Sequence, residues 1–275
     1  MIIAFLVVVG LCFGSFVNAL VFRLHMQSKK SSKLKAQSSK YSITKGRSMC
    51  PNCKHTLAAR DLIPVLSWLE LRGKCRYCHK KFDDTPLSEL LVSALFVLSY
   101  VFWPYTWTSA SMALFVLWLM ILVGFVALVI YDYRWYLLPN RIIFPLQAIA
   151  AVVAIVNLAT YPELFSMGSL LLGLLLSAGL FWALFAVSKG KWIGFGDVKL
   201  AVVIGLILGR PDQALLMLFG ASAIGSLVAV PLLVTGKATR STRLPFGPFL
   251  IVATIIAFLF GMSIINWYKT QLLFL

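Results

Sequence analysis

The chain has 275 residues, 60% of them hydrophobic and only 12% charged, with a mean hydropathy of +0.90 and a formal net charge of +16. A soluble domain of this length has too little interior to hide so much apolar side chain, and apolar runs of eighteen or more residues recur, so membrane-spanning helices are indicated. The runs do not alternate, which excludes a β-barrel.

In chain order, eight spans are predicted, at roughly 1–22, 87–103, 111–131, 142–159, 167–187, 197–209, 213–234 and 246–266, which makes the chain an all-α polytopic membrane protein. The first run lacks a basic stretch before it and a small-x-small site followed by a polar chain, so it reads as a retained helix. Cys12 lies within it as a packing residue. The sixth span is short, with about a dozen apolar residues against the roughly 20 of a full crossing, and is expected to be tilted or to begin within the membrane near Gly194. A Gly-x-Gly turn leading to Asp197 suits irregular backbone that lines a wet cavity.

Basic residues orient the chain. The polar segment 23–86 and the connections 132–141, 188–199 and 235–245 carry 23 of the 25 Lys and Arg, against Arg210 and Lys269 on the opposite side. That bias puts the four basic segments in the cytoplasm and both termini outside it. The chain thus divides into a first transmembrane helix (1–22), a cytoplasmic segment (23–86) and a membrane-embedded domain (87–275).

The cytoplasmic segment opens with a Ser- and Lys-rich stretch, 28–48, read as a solvated linker able to touch anionic membrane lipid. Two C-x2-C knuckles follow, Cys50-Pro51-Asn52-Cys53 and Cys75-Arg76-Tyr77-Cys78, separated by 21 residues. A two-residue gap lets both thiolates of a knuckle reach one metal, and two knuckles make a tetrahedral four-cysteine zinc site. Disulfides or free thiols are the alternative, and a cytoplasmic setting disfavours disulfides. His55 and His79 adjoin the knuckles but are read as surface residues, since four cysteines complete the site. A structural Zn2+ would also supply the stability that 49–82 cannot draw from a core of its own, so a small zinc-binding cytoplasmic module between helices 1 and 2 is predicted. Between the knuckles, Leu62-Ile63-Pro64-Val65-Leu66-Ser67-Trp68-Leu69 is very apolar and is expected to lie against the membrane surface or to pack on the helical core. Nothing resembles a recognition helix or a stacking sheet, so no nucleic-acid partner is expected.

The chain has nine acidic residues. Asp61, Glu70, Asp83 and Asp84 belong to the cytoplasmic segment, Glu163 and Asp212 to external loops, and Glu89 to the first turn of the second span, where it favours the helix dipole. Asp132 and Asp197 remain, each at the cytoplasmic end of an apolar run, where an ionisable group is a functional hypothesis by default. Each has a structural alternative: Asp132 pairing with Arg134 or Arg141, and Asp197 capping the sixth span. Brought together, two carboxylates share one proton, so one can take a proton from water while the other donates to a scissile carbonyl. No G-x-S-x-G competes, and His25, His55 and His79 all lie in the cytoplasmic segment. Other readings are a proton-coupled transporter or relay using the two aspartates, and a non-catalytic secretion or pilus assembly factor.

At these residues the chain resembles the type IV prepilin peptidases, GxGD-type intramembrane aspartic peptidases that include bifunctional leader peptidase/N-methyltransferases. The resemblance rests on Gly14-Ser15-Phe16-Val17-Asn18 with Arg23, on both knuckles and the apolar loop, on Asp132 with Leu138-Pro139-Asn140, on Gly194-Phe195-Gly196-Asp197-Val198-Lys199, and on Pro245-Phe246-Gly247-Pro248. It implies a membrane aspartic endopeptidase of the bacterial cytoplasmic membrane. Such an enzyme removes the leader of prepilins or pseudopilins at the cytoplasmic face and, in many members, methylates the new N-terminus with S-adenosylmethionine. Asp132 and Asp197 would be the catalytic pair, supported by Gly194, Gly196, Lys199, Pro139 and Asn140. Lys199 could act on the pair or on a peptide carbonyl, or simply anchor by snorkelling. The substrate would carry a basic leader before an apolar helix, and Glu70, Asp83, Asp84 and Glu89 are the acids proposed to meet that leader. The chain departs from the family in its longer basic linker and in Asp83-Asp84-Thr85-Pro86, where a Tyr-Pro pair is common.

Overall fold

A computed structural model describes residues 1–28, 46–50, 52–81, 86–237, 239 and 244–272. The greater part of the basic linker, Pro51, and Asp83 and Asp84 lie outside the described residues. Nine helices cover most of the rest: α1 Ile2–Ser28, α2 Leu66–Leu71, α3 Leu87–Val101, α4 Ser109–Trp135, α5 Asn140–Thr160, α6 Met167–Ser188, α7 Phe195–Leu208, α8 Pro211–Val234 and α9 Gly247–Leu272. Six of them (α1, α4, α5, α6, α8 and α9) are long and apolar enough to cross a membrane. The other two predicted spans, α3 and α7, hold 15 and 14 residues. The helices form two compact units, Met1–Val101 and Phe102–Leu275.

In the first unit α1 packs along α3. The contact is backbone to backbone because α1 carries Gly10 and Gly14 on one face. A Cβ at Gly10 would come within 2.5 Å of the Ser93 Cα, and one at Gly14 would overlap the Glu89 Cα. Small residues at this spacing let two apolar helices approach closely where burial against lipid gives little driving force. Gly14→Leu is therefore expected to push α3 off α1, at the 1–3 kcal/mol or more typical of overpacking. Faster hydrogen exchange across both helices would show it, and exchange unchanged from wild type would show that the glycine is dispensable. The helix α1 runs six residues beyond the predicted span, and at its polar end the Arg23 Nη2 donates to the Gly46 carbonyl at 2.9 Å, which ties the start of the cysteine module to the helix.

In the second unit the shortest span is the central one. The helix α7 touches α5, α6, α8 and α9, and Val198, Leu200, Ala201, Val203, Ile204, Gly205, Ile207 and Leu208 are all buried. A helix that is apolar on every side belongs inside other helices, not against lipid. At 1.5 Å per residue its 14 residues extend about 21 Å, against a hydrocarbon core of about 30 Å. At least one end of α7 therefore lies below a membrane face. Its far end is closed by Gly209 in the left-handed region (φ 62°), packed on Phe165. On that side Trp103, Tyr105 and Trp107 form an aromatic cluster with Phe115, Tyr161 and Phe258, as expected of side chains at a membrane–water boundary. Against α7, α6 carries a π-helical stretch, Leu175–Gly179, whose Ser177 packs on Gly205.

Candidate active site and metal centre

Asp132 sits in the last turn of α4, which ends because Tyr136 turns left-handed (φ 54°) and donates its amide to the Asp132 carbonyl at 2.8 Å. The side chain is buried, 6% exposed. Its carboxylate accepts the amide of Gly247, the first residue of α9. A side chain there would displace the carboxylate, since a Cβ on residue 247 would lie 2.7 Å from the Asp132 Oδ2. The four-residue turn between α4 and α5 then carries Leu138 and Pro139 past this point.

Asp197 is the third residue of α7 and is half-buried. Gly194 caps the helix, and the pair is reciprocal: the Asp197 amide donates to the Gly194 carbonyl at 3.1 Å, and the Asp197 carboxylate accepts the Gly194 amide. The capping role open to Asp197 is thus occupied, and it leaves the second carboxylate oxygen available. Irregular backbone does not extend to the aspartate, as the sequence had suggested. Gly194 is extended (φ −74°), and the chain is helical from Phe195. Neither glycine needs the left-handed region. Gly196 matters for space, because a Cβ there would approach the Leu138 Cβ to 3.0 Å and press on that side chain.

Leu138 is the hinge of the arrangement. It packs on Gly196 of α7 and faces Gly247 of α9, and Gly247 holds Asp132. The two carboxylates that flank it are close enough to interact electrostatically. Lys199, one turn along α7, does not point at either of them. Its Nζ donates to the Asn140 Oδ1 at 2.8 Å and stands over the rings of Phe195 (4.8 Å) and Phe144 (5.4 Å). Gln147 of α5 donates to the Lys199 carbonyl at 3.1 Å. Lys199 and Asn140 thus latch the start of α7 to the start of α5, and Pro139 supplies the extended cap (ψ 127°) that turns the chain into α5. The structure brings together Asp132, Asp197, Gly194, Gly196, Lys199, Pro139 and Asn140. It adds Gly247, which the Pro245-Phe246-Gly247-Pro248 motif marks without showing that its amide meets Asp132. Gly247→Ala is expected to displace the Asp132 carboxylate and to lower turnover about 100-fold, the penalty of misplacing a reacting group by about 1 Å. A variant that melts like wild type and turns over at the wild-type rate would remove Gly247 from the site.

The four cysteines also converge. Their sulfurs all lie within 4.8 Å of one another, with Cys50–Cys78 at 3.8 Å and Cys53–Cys75 at 4.0 Å. Four thiolates at about 2.3 Å around tetrahedral zinc are about 3.8 Å apart, so the set fits that metal. The described residues of the two knuckles share two backbone features. In each, the amide of the first cysteine pairs five residues ahead (Cys50 with His55, Cys75 with Lys80), and the residue after the second cysteine is left-handed (Lys54 φ 58°, His79 φ 56°). The His55 ring stacks on Tyr77 at 3.7 Å. Asp61 ties the second knuckle to the intervening loop. Burial alone would raise its carboxyl, but bonds from Arg76 (2.8 Å), the Ala58 amide and Tyr77 (both 3.2 Å) hold it below the usual carboxylate range.

Of the acids expected to meet a leader, Glu70 is exposed and paired with Arg76 at 3.0 Å. Glu89 is buried, and its carboxylate takes the Val65 amide at 2.6 Å and the Ser15 hydroxyl. Trp68, 36% exposed, rests partly on Gly73.

Residues 8–103 match the Bacterial Peptidase A24 N-terminal domain, and residues 119–230 match the Type IV leader peptidase family. Named relatives include a prepilin leader peptidase/N-methyltransferase of Bacillus subtilis strain 168, 34% identical over 82% of this chain and 87% of that protein. One of Pseudomonas aeruginosa is 30% identical over 95% and 91%. Another, of Aeromonas hydrophila, is 29% identical over 96% and 92%. No solved structure matches the chain.

Proposed function

The chain belongs to the type IV leader peptidase family, and we propose that it removes the basic leader of prepilins or pseudopilins at the cytoplasmic membrane face, with Asp132 and Asp197 as the catalytic pair. The observation that carries this reading is the approach of two carboxylates, each supported by one backbone amide, with the charge of Asp132 acting on Asp197. Two such groups share one proton. The ionised member takes a proton from water, the water oxygen bonds to the scissile carbonyl carbon, and the protonated member donates to the carbonyl oxygen. The C–N bond then breaks, and the new amine leaves with a proton from the pair. No metal and no covalent enzyme intermediate are needed.

Methylation of the new N-terminus with S-adenosylmethionine is part of the proposal. It rests on the relatives' names, and no residue here is assigned to it. The four cysteines would hold a structural zinc ion that shapes the module and stays outside the hydrolysis. The leader's cations call for acids, and Asp83 and Asp84 are proposed for that contact, since Glu70 is paired with Arg76. Glu89 already spends its carboxylate inside the fold. Cytoplasmic placement of the module and of the aspartate end follows from the basic residues that crowd those connections.

The test is incubation of the purified full-length chain in detergent with a synthetic prepilin, followed by mass spectrometry. Loss of the leader mass supports the peptidase, and an added methyl on the mature fragment in the presence of S-adenosylmethionine supports the second activity. Intact substrate after incubation with a folded, zinc-loaded preparation would sink the reading.

A further inference from the structure

We propose that residues 62–71 form a membrane-surface anchor that seats the four-cysteine module on an anionic leaflet beside the α1–α3 pair. The inference rests on the chain being a membrane protein and not on its peptidase activity.

Depth is the first argument. Glu89 lies in the first turn of α3, where the chain passes from the polar module into an apolar helix. Its carboxylate takes the Val65 amide at 2.6 Å and the Ser15 hydroxyl of α1. Val65 is thereby fixed at the level where the chain enters the apolar helix α3, beside the middle of α1.

Conformation is the second. Val65 has φ 60° and ψ −50°, and the Pro64 carbonyl accepts the Leu66 amide at 2.6 Å across it. That three-residue turn is strained, most of all for a β-branched residue, and persists only where its surroundings hold it. Here the Glu89 carboxylate does so. The turn leads directly into α2, so the segment is a built shape and not a loose loop.

Surface chemistry is the third. Leu62, Ile63, Leu66 and Leu69 are 41%, 46%, 64% and 58% exposed, four large aliphatic side chains within eight residues. A module this small has no need to show them to water, and such exposure marks a contact surface. Arg60, Arg72 and Lys74 flank them, all exposed. Asp61 is spent on Arg76, Tyr77 and the Ala58 amide, and Glu70 pairs with Arg76. Aliphatic side chains with a cationic rim match the acyl–headgroup boundary of anionic lipid. The same rim would repel a basic leader, which argues for lipid over substrate as the occupant.

The experiment uses the full-length, zinc-loaded chain in nanodiscs of phosphatidylethanolamine and phosphatidylglycerol. A trace of phosphatidylglycerol carries a photoactivatable group in its acyl chain, and adducts are mapped by peptide mass spectrometry. Adducts are expected on the 62–71 peptide as well as on the transmembrane helices. Leu66→Glu with Leu69→Glu should lower the 62–71 adduct about tenfold while α3 labelling and zinc content stay as in wild type. Discs of phosphatidylcholine alone should lower it too. Absence of adducts on 62–71 beside well-labelled helices would overturn the proposal, as would cross-linking of that peptide to a second copy or to an added prepilin in place of lipid. Labelling indifferent to the leucine substitutions, or to the loss of anionic lipid, would also overturn it. If the double variant loses its zinc, the wild-type map decides.

Discussion

Replacing either Asp132 or Asp197 by asparagine is expected to lower leader cleavage by about 10²–10⁴-fold, the range lost when a positioned acid or base is removed. The substitution is unusually clean at both positions. Asp132 takes one backbone amide, from Gly247, and Asp197 takes one, from Gly194. An asparagine Oδ1 can accept the same bond in nearly the same volume, so the packing around Leu138 survives and only the proton chemistry is lost. Glutamate is the instructive contrast at 132. It keeps the charge but adds a methylene where Gly247 already leaves no room for a Cβ. It should therefore fail by displacement, with a lower melting temperature as well as lower turnover. Methylation of a synthetic, already mature N-terminus provides the second readout and should be unchanged in both asparagine variants. Cleavage at the wild-type rate in both would remove the aspartates from the mechanism. Loss of cleavage together with an unfolded chain would make their role structural.

These two residues were legible because charge is rare in this chain. With nine acids among 275 residues, a carboxylate at the end of an apolar run has few alternatives. The knuckles were legible because a two-residue gap is a geometric statement about one metal. Motifs mark Gly194 and Gly247, but the backbone bonds by which they support the aspartates were not legible. Gly247 contributes a backbone amide, which every residue except proline possesses, and its partner is far away in the sequence. The reason for Gly196 was equally hidden. A glycine needed for a turn and one needed for space look alike until Leu138 is seen against it. Glu89 shows the same limit. A helix-dipole role fits any acid in a first turn, whereas the strained Val65 that supplies its actual partner leaves no mark in the sequence. The end of α1 escaped hydropathy for a different reason. Apolarity stops near Arg23, but a helix need not end at the membrane boundary when its last turns are tied to the next segment, as Arg23 is tied to Gly46.

Removing the metal is expected to unfold the module and leave the second unit intact. Cys50 and Cys75 are buried, and the four sulfurs converge from two knuckles that share no strand pairing with each other among the described residues. Two isolated bridges (Met49 with Thr56, Lys74 with Lys81) and a six-residue helix are too little to order such a segment alone. Structural zinc supplies an apparent 10–16 kcal/mol in small domains of this kind, about as much as whole-domain stability, so nothing else in the module can replace it. A chelator, or Cys75→Ser, should therefore abolish stoichiometric zinc and raise hydrogen exchange through 46–81 to the rate of an unstructured chain. The consequence should reach α3. The Val65 amide bound by Glu89 belongs to the module, and its release leaves a buried carboxylate short of a donor, at about 1–3 kcal/mol or more for a charged group. Exchange should accordingly rise in the first turn of α3 and not in α4 to α9, where the glycine contacts around Leu138 owe nothing to zinc. Protection of 46–81 that survives in zinc-free protein would show that the cysteines are held by packing and not by metal.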